Sequence, residues 1–322
     1  GSEMCIRDRK RNMLGGFVAG GVDFSSTYQM LIGNAIQMLL DACYGISSII
    51  TAKGGGGGTA ANSVSTLTGQ INTMITGSGG IINAMKGIGF ALAALFFLIS
   101  MIELINSDRL TIELFVKFFA RLAVGVAAVA YSDEIYKVCT NFGDALTRLI
   151  TDTFDSVNKE FTVPSDIGTL INSKHTGFFS AIGCLLSIAI GMLPCYLLGF
   201  VVLILTYVIA FTRLLEMGAR GCFLPIAMGL MSDDGWRGAG GRYLKKFLAV
   251  CCQSAVLVVI GGLCAYLMGT LAQTVISNIQ NTGGEVNLTL LVGNFSLMLG
   301  VGVAMISAMM KSIGIVNDMF GA

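Results

Sequence analysis

Charge is what this chain of 322 residues lacks most. Only 12% of its residues are Asp, Glu, Lys or Arg, and 54% are hydrophobic. Soluble domains carry about 25% charged residues, and so few charges could not cover the surface of one. Because the mean hydropathy is +0.77, the composition predicts an all-α, polytopic membrane protein. The net charge is +1, so any attraction for nucleic acid must be local.

Histidine is also scarce, which argues against sites built on it. The single His175 leaves no set of histidines for a zinc site and little basis for a Ser-His-Asp triad. The nine cysteines form no CxxC pair, and we interpret them as small apolar residues. The chain also has no GxSxG, HExxH or GxxxxGK[ST] motif. We therefore expect no enzyme, no cofactor and no metal.

The first twelve residues are expected to be foreign to the protein. Gly1 and Ser2 have the form of a cloning remnant, and EMCIRDR (residues 3–9) resembles translated sequencing-adaptor DNA. We therefore take Met13 as the start and expect no cleavable signal peptide.

The N-terminal region, residues 13–80, combines an amphipathic segment with a glycine run. Asn34, Gln37 and Asp41 are spaced by three and four residues, which places them on one helical face. Residues 28–50 are therefore predicted to form a helix at the membrane interface, the alternative being an additional span. Five glycines at 54–58 cannot hold a helix, so a flexible loop is predicted up to residue 80.

Five segments reach the roughly 20 apolar residues that a crossing helix needs. They are residues 81–105, 111–131, 177–212, 246–271 and 290–310. The first two form a hairpin, 81–131. The polar stretch 132–176 is predicted to hold an amphipathic helix that ends before Pro164. The uncharged third segment is predicted to be one long helix kinked at Pro194; two short spans are the alternative.

The distribution of Lys and Arg orients these spans. Six of these residues lie between 213 and 246, whereas residues 272–289 contain none. The positive-inside rule then places loop 213–246 and the C-terminus in the cytoplasm, and residues 132–176 outside. We expect a multi-pass protein of the cytoplasmic membrane, with its transmembrane core in residues 177–322.

The second span carries a stripe of ionisable residues. Glu113, Lys117 and Arg121 recur every four residues and so share one helical face. Ionisable groups inside a span usually face a bundle interior or water, so the stripe either lines a conduit or contacts a partner subunit. Lys86 and Glu103 are further candidate partners. Alternatively, Glu113 and Lys117 pair at the interface and Arg121 reaches the headgroups.

A second polar concentration lies between the third and fourth spans. From its charges alone, this segment is interpreted as an anchor for anionic lipid. The alternatives are a docking surface for a cytoplasmic ATPase or a contact for a translocating polyanion. Its members are Arg213, Glu216, Pro225, Trp236, Arg237, Arg242, Tyr243, Lys245 and Lys246.

Small residues recur every four positions in the last two spans. Such faces allow helices to approach closely in lipid, and they pack helices either within one subunit or between subunits. The two sets are Gly261, Ala265 and Gly269, and Gly300, Ala304 and Ala308.

These motifs together resemble a known family. LPIAMGLMSDDGWRGAGGRYLKKFLAVCCQSAVLVVI (224–260) is similar to the TrbL/VirB-type polytopic inner-membrane proteins of conjugative type IV secretion systems, in the branch of Gram-positive integrative elements. FLISMIELINSDRLTIELFVKFFARLAVGVAAVA (97–130) and GNAIQMLLDACYGI (33–46) resemble the family's first hairpin and N-terminal helix, so the resemblance covers about residues 28–312. The matching positions are Arg213, Glu216, Pro225, Gly240, Tyr243, Leu244, Lys245, Phe247 and Gln253.

The resemblance implies a channel or scaffold subunit that is not an enzyme and helps to form the inner-membrane route for DNA–protein transfer. It implies a homo-oligomer that contacts membrane lipids, other secretion subunits including cytoplasmic ATPases, and a single-stranded DNA–protein substrate. The alternative is a stand-alone oligomeric channel or a small-solute transporter.

Overall fold

The described part of the chain is helical throughout. The computed structural model describes residues 24–51, 58–77, 79–106, 112–157, 164, 166–174, 178–234, 238–283 and 288–321, among which there is no strand. The helices are α1 (Ser25–Thr51), α2 (Gly58–Thr76), α3 (Ile81–Asn106), α4 (Ile112–Ala130), α5 (Ser132–Val157), α6 (Asp166–Lys174), α7 (Phe178–Cys222), α8 (Leu224–Gly229), α9 (Met231–Asp234), α10 (Ala239–Asn281) and α11 (Leu288–Phe320).

Several of these helices are suited to cross a membrane. Four stretches found by searching the described residues are long and apolar enough: Thr66–Glu103, Phe179–Cys222, Ala239–Asn281 and Phe295–Phe320. The first of them includes residues of both α2 and α3. A fifth crossing arises if α4 and α5, which are bent by 66° relative to each other, count as one broken span. The predicted fold class, an all-α polytopic membrane protein with about five spans, is confirmed.

The uncharged third segment forms a single helix. α7 has 45 residues and contains Pro194, so it is about 68 Å long at 1.5 Å per residue. The prediction of one long helix is confirmed, and the alternative of two short spans is wrong. Near its C-terminal end the chain turns as predicted, because Pro225 stands in the first turn of the short helix α8.

The predicted flexible loop before the first span is wrong for residues 58–76, which form α2. Ile71 and Ile75 lie one turn apart and pack against a hydrophobic core. Next to them, the Tyr136 hydroxyl donates a 2.7 Å hydrogen bond to Asn72 Oδ1. These distant contacts stabilise a segment whose local composition is small and polar. Residues 52–57, which include four of the five glycines, lie outside the described residues.

The chain divides into two compact units. Unit 1 comprises Gly1–Tyr44, Asn158–Leu203 and Leu263–Ile306, and unit 2 comprises Gly45–Val157, Ile204–Gly262 and Ser307–Ala322. Residues 1–23 lie outside the described part, so the expectation that the first twelve are foreign stays a prediction.

In unit 1, α1 is amphipathic, as its sequence predicts. Asn34, Gln37 and Asp41 are exposed together, and Gln37 Nε2 donates a 3.0 Å hydrogen bond to Asp41 Oδ1. The opposite face is fully buried and includes Tyr28 and Ile32. Tyr28 reaches α7, where its hydroxyl donates a 2.8 Å hydrogen bond to the Ala181 carbonyl. Among the described residues α1 does not meet the length and composition of a candidate span, whereas α7, on which it packs, does.

Unit 1 should lose stability at high pH because of Tyr28. Burial raises the pKa of Tyr28 from 10 to about 12. An unfolded chain therefore ionises this tyrosine at a lower pH than the folded chain does. The stabilisation is fully present below pH 10 and is lost as the pH rises through about 12. Unfolding midpoints measured across this range should fall less steeply in Tyr28→Phe; identical profiles would contradict the assignment.

In unit 2, α5 runs parallel to α10 over four successive contacts. The rings of Tyr136 and Phe247 stack at 5.6 Å, and both side chains are fully buried. The next contacts are backbone and hydroxyl groups: Gly143 lies against the Cys251 carbonyl, and the Thr147 and Ser254 hydroxyls are 2.6 Å apart. At the far end the Phe154 ring covers Gly262.

The hairpin of α3 and α4 also belongs to unit 2. The short helices α8 and α9 pack against both of its arms. Gly89 of α3 lies against the Pro225 carbonyl, and Gly125 of α4 lies against Ser232. At the base of the hairpin, Lys86 Nζ donates a 2.8 Å hydrogen bond to Asp133 Oδ1 at the start of α5. Lys86 thus pairs with Asp133, and not with the ionisable stripe of α4 as the sequence suggested.

Two of these contacts lie at positions that the predicted topology uses. Gly89 of α3 touches the Pro225 carbonyl, and α5 lies along α10, a candidate span. α4 and α5 join at a 66° bend. The orientation given by the positive-inside rule stays a prediction.

Candidate functional site

One face of α5 carries a row of polar and charged side chains. Seven of its side chains, all exposed, line an open groove of about 860 Å³. They are spaced by one, three or four residues and so follow one helical face. The residues are Asn141, Asp144, Ala145, Arg148, Leu149, Asp152 and Thr153.

This polar face belongs to a helix that packs along a candidate spanning helix. The opposite face of α5 packs along α10 from Phe247 to Gly262, within the candidate span Ala239–Asn281. An Asp or Arg at the centre of a membrane helix costs about 2.5–3.5 kcal/mol. Asp144, Arg148 and Asp152 together would thus cost on the order of 8–10 kcal/mol against lipid. If this stretch of α10 crosses the membrane, the face needs water or another protein surface beside it.

Arg213 brings a further charge to α5 from the neighbouring α7. Its Nε and Nη2 donate hydrogen bonds to the Val250 and Cys251 carbonyls of α10, at 3.4 and 3.1 Å. Asp144 is close enough to experience the positive charges of both Arg213 and Arg148. The groove therefore combines charges of both signs. Within the described residues, no cluster of His, Cys, Asp or Glu has the form of a metal site.

The stripe predicted on the second span does not line this groove. Glu113 and Lys117 are exposed on α4, and Arg121 is half-buried with its guanidinium 5.8 Å from the Phe118 ring centre. Large apolar side chains such as Val116 and Phe119 are exposed beside them. The stripe thus forms an outward face of the hairpin, and its role as part of a conduit stays a prediction.

The cluster predicted as an anchor divides into half-buried residues that join two helices and exposed charges. Arg220 pairs with Glu216 and donates a 3.0 Å hydrogen bond to the Lys246 carbonyl. The Tyr243 hydroxyl in turn donates to the Arg220 carbonyl at 2.8 Å, so the end of α7 is joined to the start of α10.

The other members of this cluster differ in exposure. Pro225 is buried, Arg242 and Lys246 are exposed, and Lys245 is half-buried. Trp236 and Arg237 lie outside the described residues. A lipid anchor at this position therefore rests on the side chains of α10 that remain at the surface.

The two small-residue faces have different environments. Gly261 and Ala265 are buried, and Gly269 is half-buried. By contrast, Gly300 and Ala304 are exposed and Ala308 is half-buried. The first face is therefore largely covered within the chain, whereas much of the second points away from it.

Sequence reasoning missed the α5 face. Asp144, Arg148 and Asp152 were placed in an extracytoplasmic segment, where ionisable residues need no explanation. Their four-residue spacing was the available signal, but only the structure shows that α5 packs along a candidate spanning helix.

Comparison with known proteins identifies no relative. No family model, no curated protein and no solved structure matches the chain. Function must therefore be argued from the chemistry of the site and from the motif resemblance.

Proposed function

We propose that this chain is a membrane subunit of a conjugative type IV secretion system, acting as a channel or scaffold component of the DNA–protein transfer route. The observation that carries the proposal is the charged face of α5, which lies beside the candidate spanning helix α10. A protein acting alone in lipid would have to leave that face against hydrocarbon. A subunit of a translocation assembly offers water or a partner there. The motif resemblance over residues 28–312 is the reason for proposing a conjugative secretion system as this assembly.

The groove carries charges of both signs, which suits a contact surface between subunits of an assembly. Asp144 and Asp152 lie on the same face as Arg148, and Arg213 is nearby, so no single sign dominates. Such a surface complements a polar protein partner better than a polyanion.

The exposed basic residues at the start of α10 fit the same assembly. Arg242 and Lys246 are exposed directly before the apolar run that begins at Phe247. Each such charge near an anionic membrane surface contributes about 1 kcal/mol. In this proposal the segment lies at the cytoplasmic interface, where it meets lipid headgroups and is accessible to an ATPase.

Deletion of the gene tests the proposal in cells. Conjugative transfer should be abolished and should return when the intact chain is supplied from a plasmid. Arg121→Glu should insert into the membrane normally yet fail to restore transfer if the α4 stripe belongs to the route. Undiminished transfer without the gene would remove the secretion assignment.

A second candidate function, a stand-alone channel or small-solute transporter, also uses the α5 groove. It predicts that the purified chain in liposomes carries ions or small solutes by itself. The matched control is Arg148→Leu, which removes the groove's exposed cation. Solute flux that depends on Arg148, together with normal conjugation in the deletion strain, would favour this candidate.

A further inference from the structure

We propose that the polar face of α5 docks the Glu113–Lys117 stripe on α4 of a second copy of this chain. Both surfaces are exposed in the single chain, and both carry ionisable side chains at four-residue spacing. The proposal names the partner of the site on which the proposed function rests, but it concerns assembly and is tested without any transfer assay.

The charges of the two faces match in one register. On α5, Arg148 has an aspartate four residues to each side, Asp144 and Asp152. On α4, Glu113 is followed by Lys117 four residues later. When Glu113 of one copy meets Arg148 of the other, Lys117 lies beside an aspartate whichever way the helices run. This register places unlike charges together at both positions.

Apolar neighbours complete the match. Val116 is 59% exposed beside the α4 stripe, and Leu149 is 66% exposed within the α5 groove. Ala145 adds a small residue next to Leu149. Two helices that meet here bury apolar contacts between their two ion pairs, and they remove the four paired charges from lipid.

The two faces of a single chain cannot meet each other. Glu113 precedes the bend at Tyr131 by 18 residues and Arg148 follows it by 17, so they lie about 27 and 26 Å from it at 1.5 Å per residue. The helices are bent by 66° there, which leaves the two side chains about 30 Å or more apart.

Pairing must therefore join different copies. Because the two faces differ, the interface is head-to-tail, and successive copies form a ring if the rotation closes and an open chain if it does not.

Charge reversal combined with mass measurement tests this contact. The purified chain in detergent or nanodiscs should have a mass that is a multiple of 33.9 kDa. Glu113→Arg and Arg148→Glu should each shift the mass toward that of one copy, and the double variant should restore the larger mass. Asp318→Arg and Lys311→Glu, which reverse exposed charges on α11, are matched controls and should leave it unchanged. A monomeric native chain, unaffected single variants, or a double variant that fails to reassemble would each overturn the proposal.

A cross-link in the unaltered chain covers variants that fail to fold. A carbodiimide joins a carboxylate directly to an amine, so the dimer band should contain Lys117 linked to Asp144 or Asp152. A dimer band without either link overturns the proposal. Because these measurements use purified protein, loss of the contact and loss of the secretion function are separate results.

Discussion

Gly143→Ala is expected to destabilise unit 2 by about 1–3 kcal/mol, the usual cost of inserting a methyl group into a packed contact. A Cβ at Gly143 would overlap the backbone carbonyl of Cys251 on α10. A backbone atom within a helix cannot rotate away as a side chain can, so α5 and α10 must separate. The Thr147–Ser254 hydroxyl contact of 2.6 Å, one turn further along, should be lost as well. The free energy of unfolding in detergent measures the effect.

The control for this prediction is Gly87→Ala. Gly87 lies in α3, and a Cβ there would meet nothing within 4 Å. Alanine is favoured over glycine inside a helix by about 1 kcal/mol, so this variant should be as stable as the native chain or more so. Equal effects of the two substitutions would mean that α5 and α10 are not in close contact at Gly143.

Phe247→Ala is expected to cost about 3–5 kcal/mol of unfolding free energy, the range for removing a large aromatic side chain from a core. Phe247 is fully buried and stacks on Tyr136 at 5.6 Å. Its loss leaves a cavity at the point where α5, α7 and α10 meet, because Gly221 of α7 packs against the same Tyr136 ring. Thermal or denaturant unfolding in detergent gives the value.

Phe142→Ala provides the comparison for Phe247→Ala. Phe142 lies on α5 and is 51% exposed, so the same atoms are removed without opening a cavity. We expect a much smaller loss of stability. A cost at Phe142 as large as that at Phe247 would show that the outward face of α5 is covered, which is the outcome that docking of a second copy also produces. Measuring Phe142→Ala above and below the concentration at which copies dissociate separates the two cases.

The sequence by itself determined the class of the protein and most of its long helices. Apolar runs without charge suffice for this, because a helix in lipid satisfies its own backbone hydrogen bonds and needs no distant partner. The continuous helix through Pro194 and the polar face at Asn34, Gln37 and Asp41 followed from local spacing in the same way.

Only the tertiary structure decided where the polar groups lie. α2 forms although its composition suggests a loop, because Ile71 and Ile75 find a core provided by distant segments. Lys86 forms an ion pair with Asp133, although the sequence suggested the ionisable stripe of α4 as its partner. The surroundings of the charged face of α5 are set by the contact of this helix with α10. That contact joins residues more than 100 positions apart in the chain, such as Thr147 and Ser254. Local sequence patterns determine which face of a helix is polar. The neighbours of that face depend on packing between segments that are far apart in the sequence.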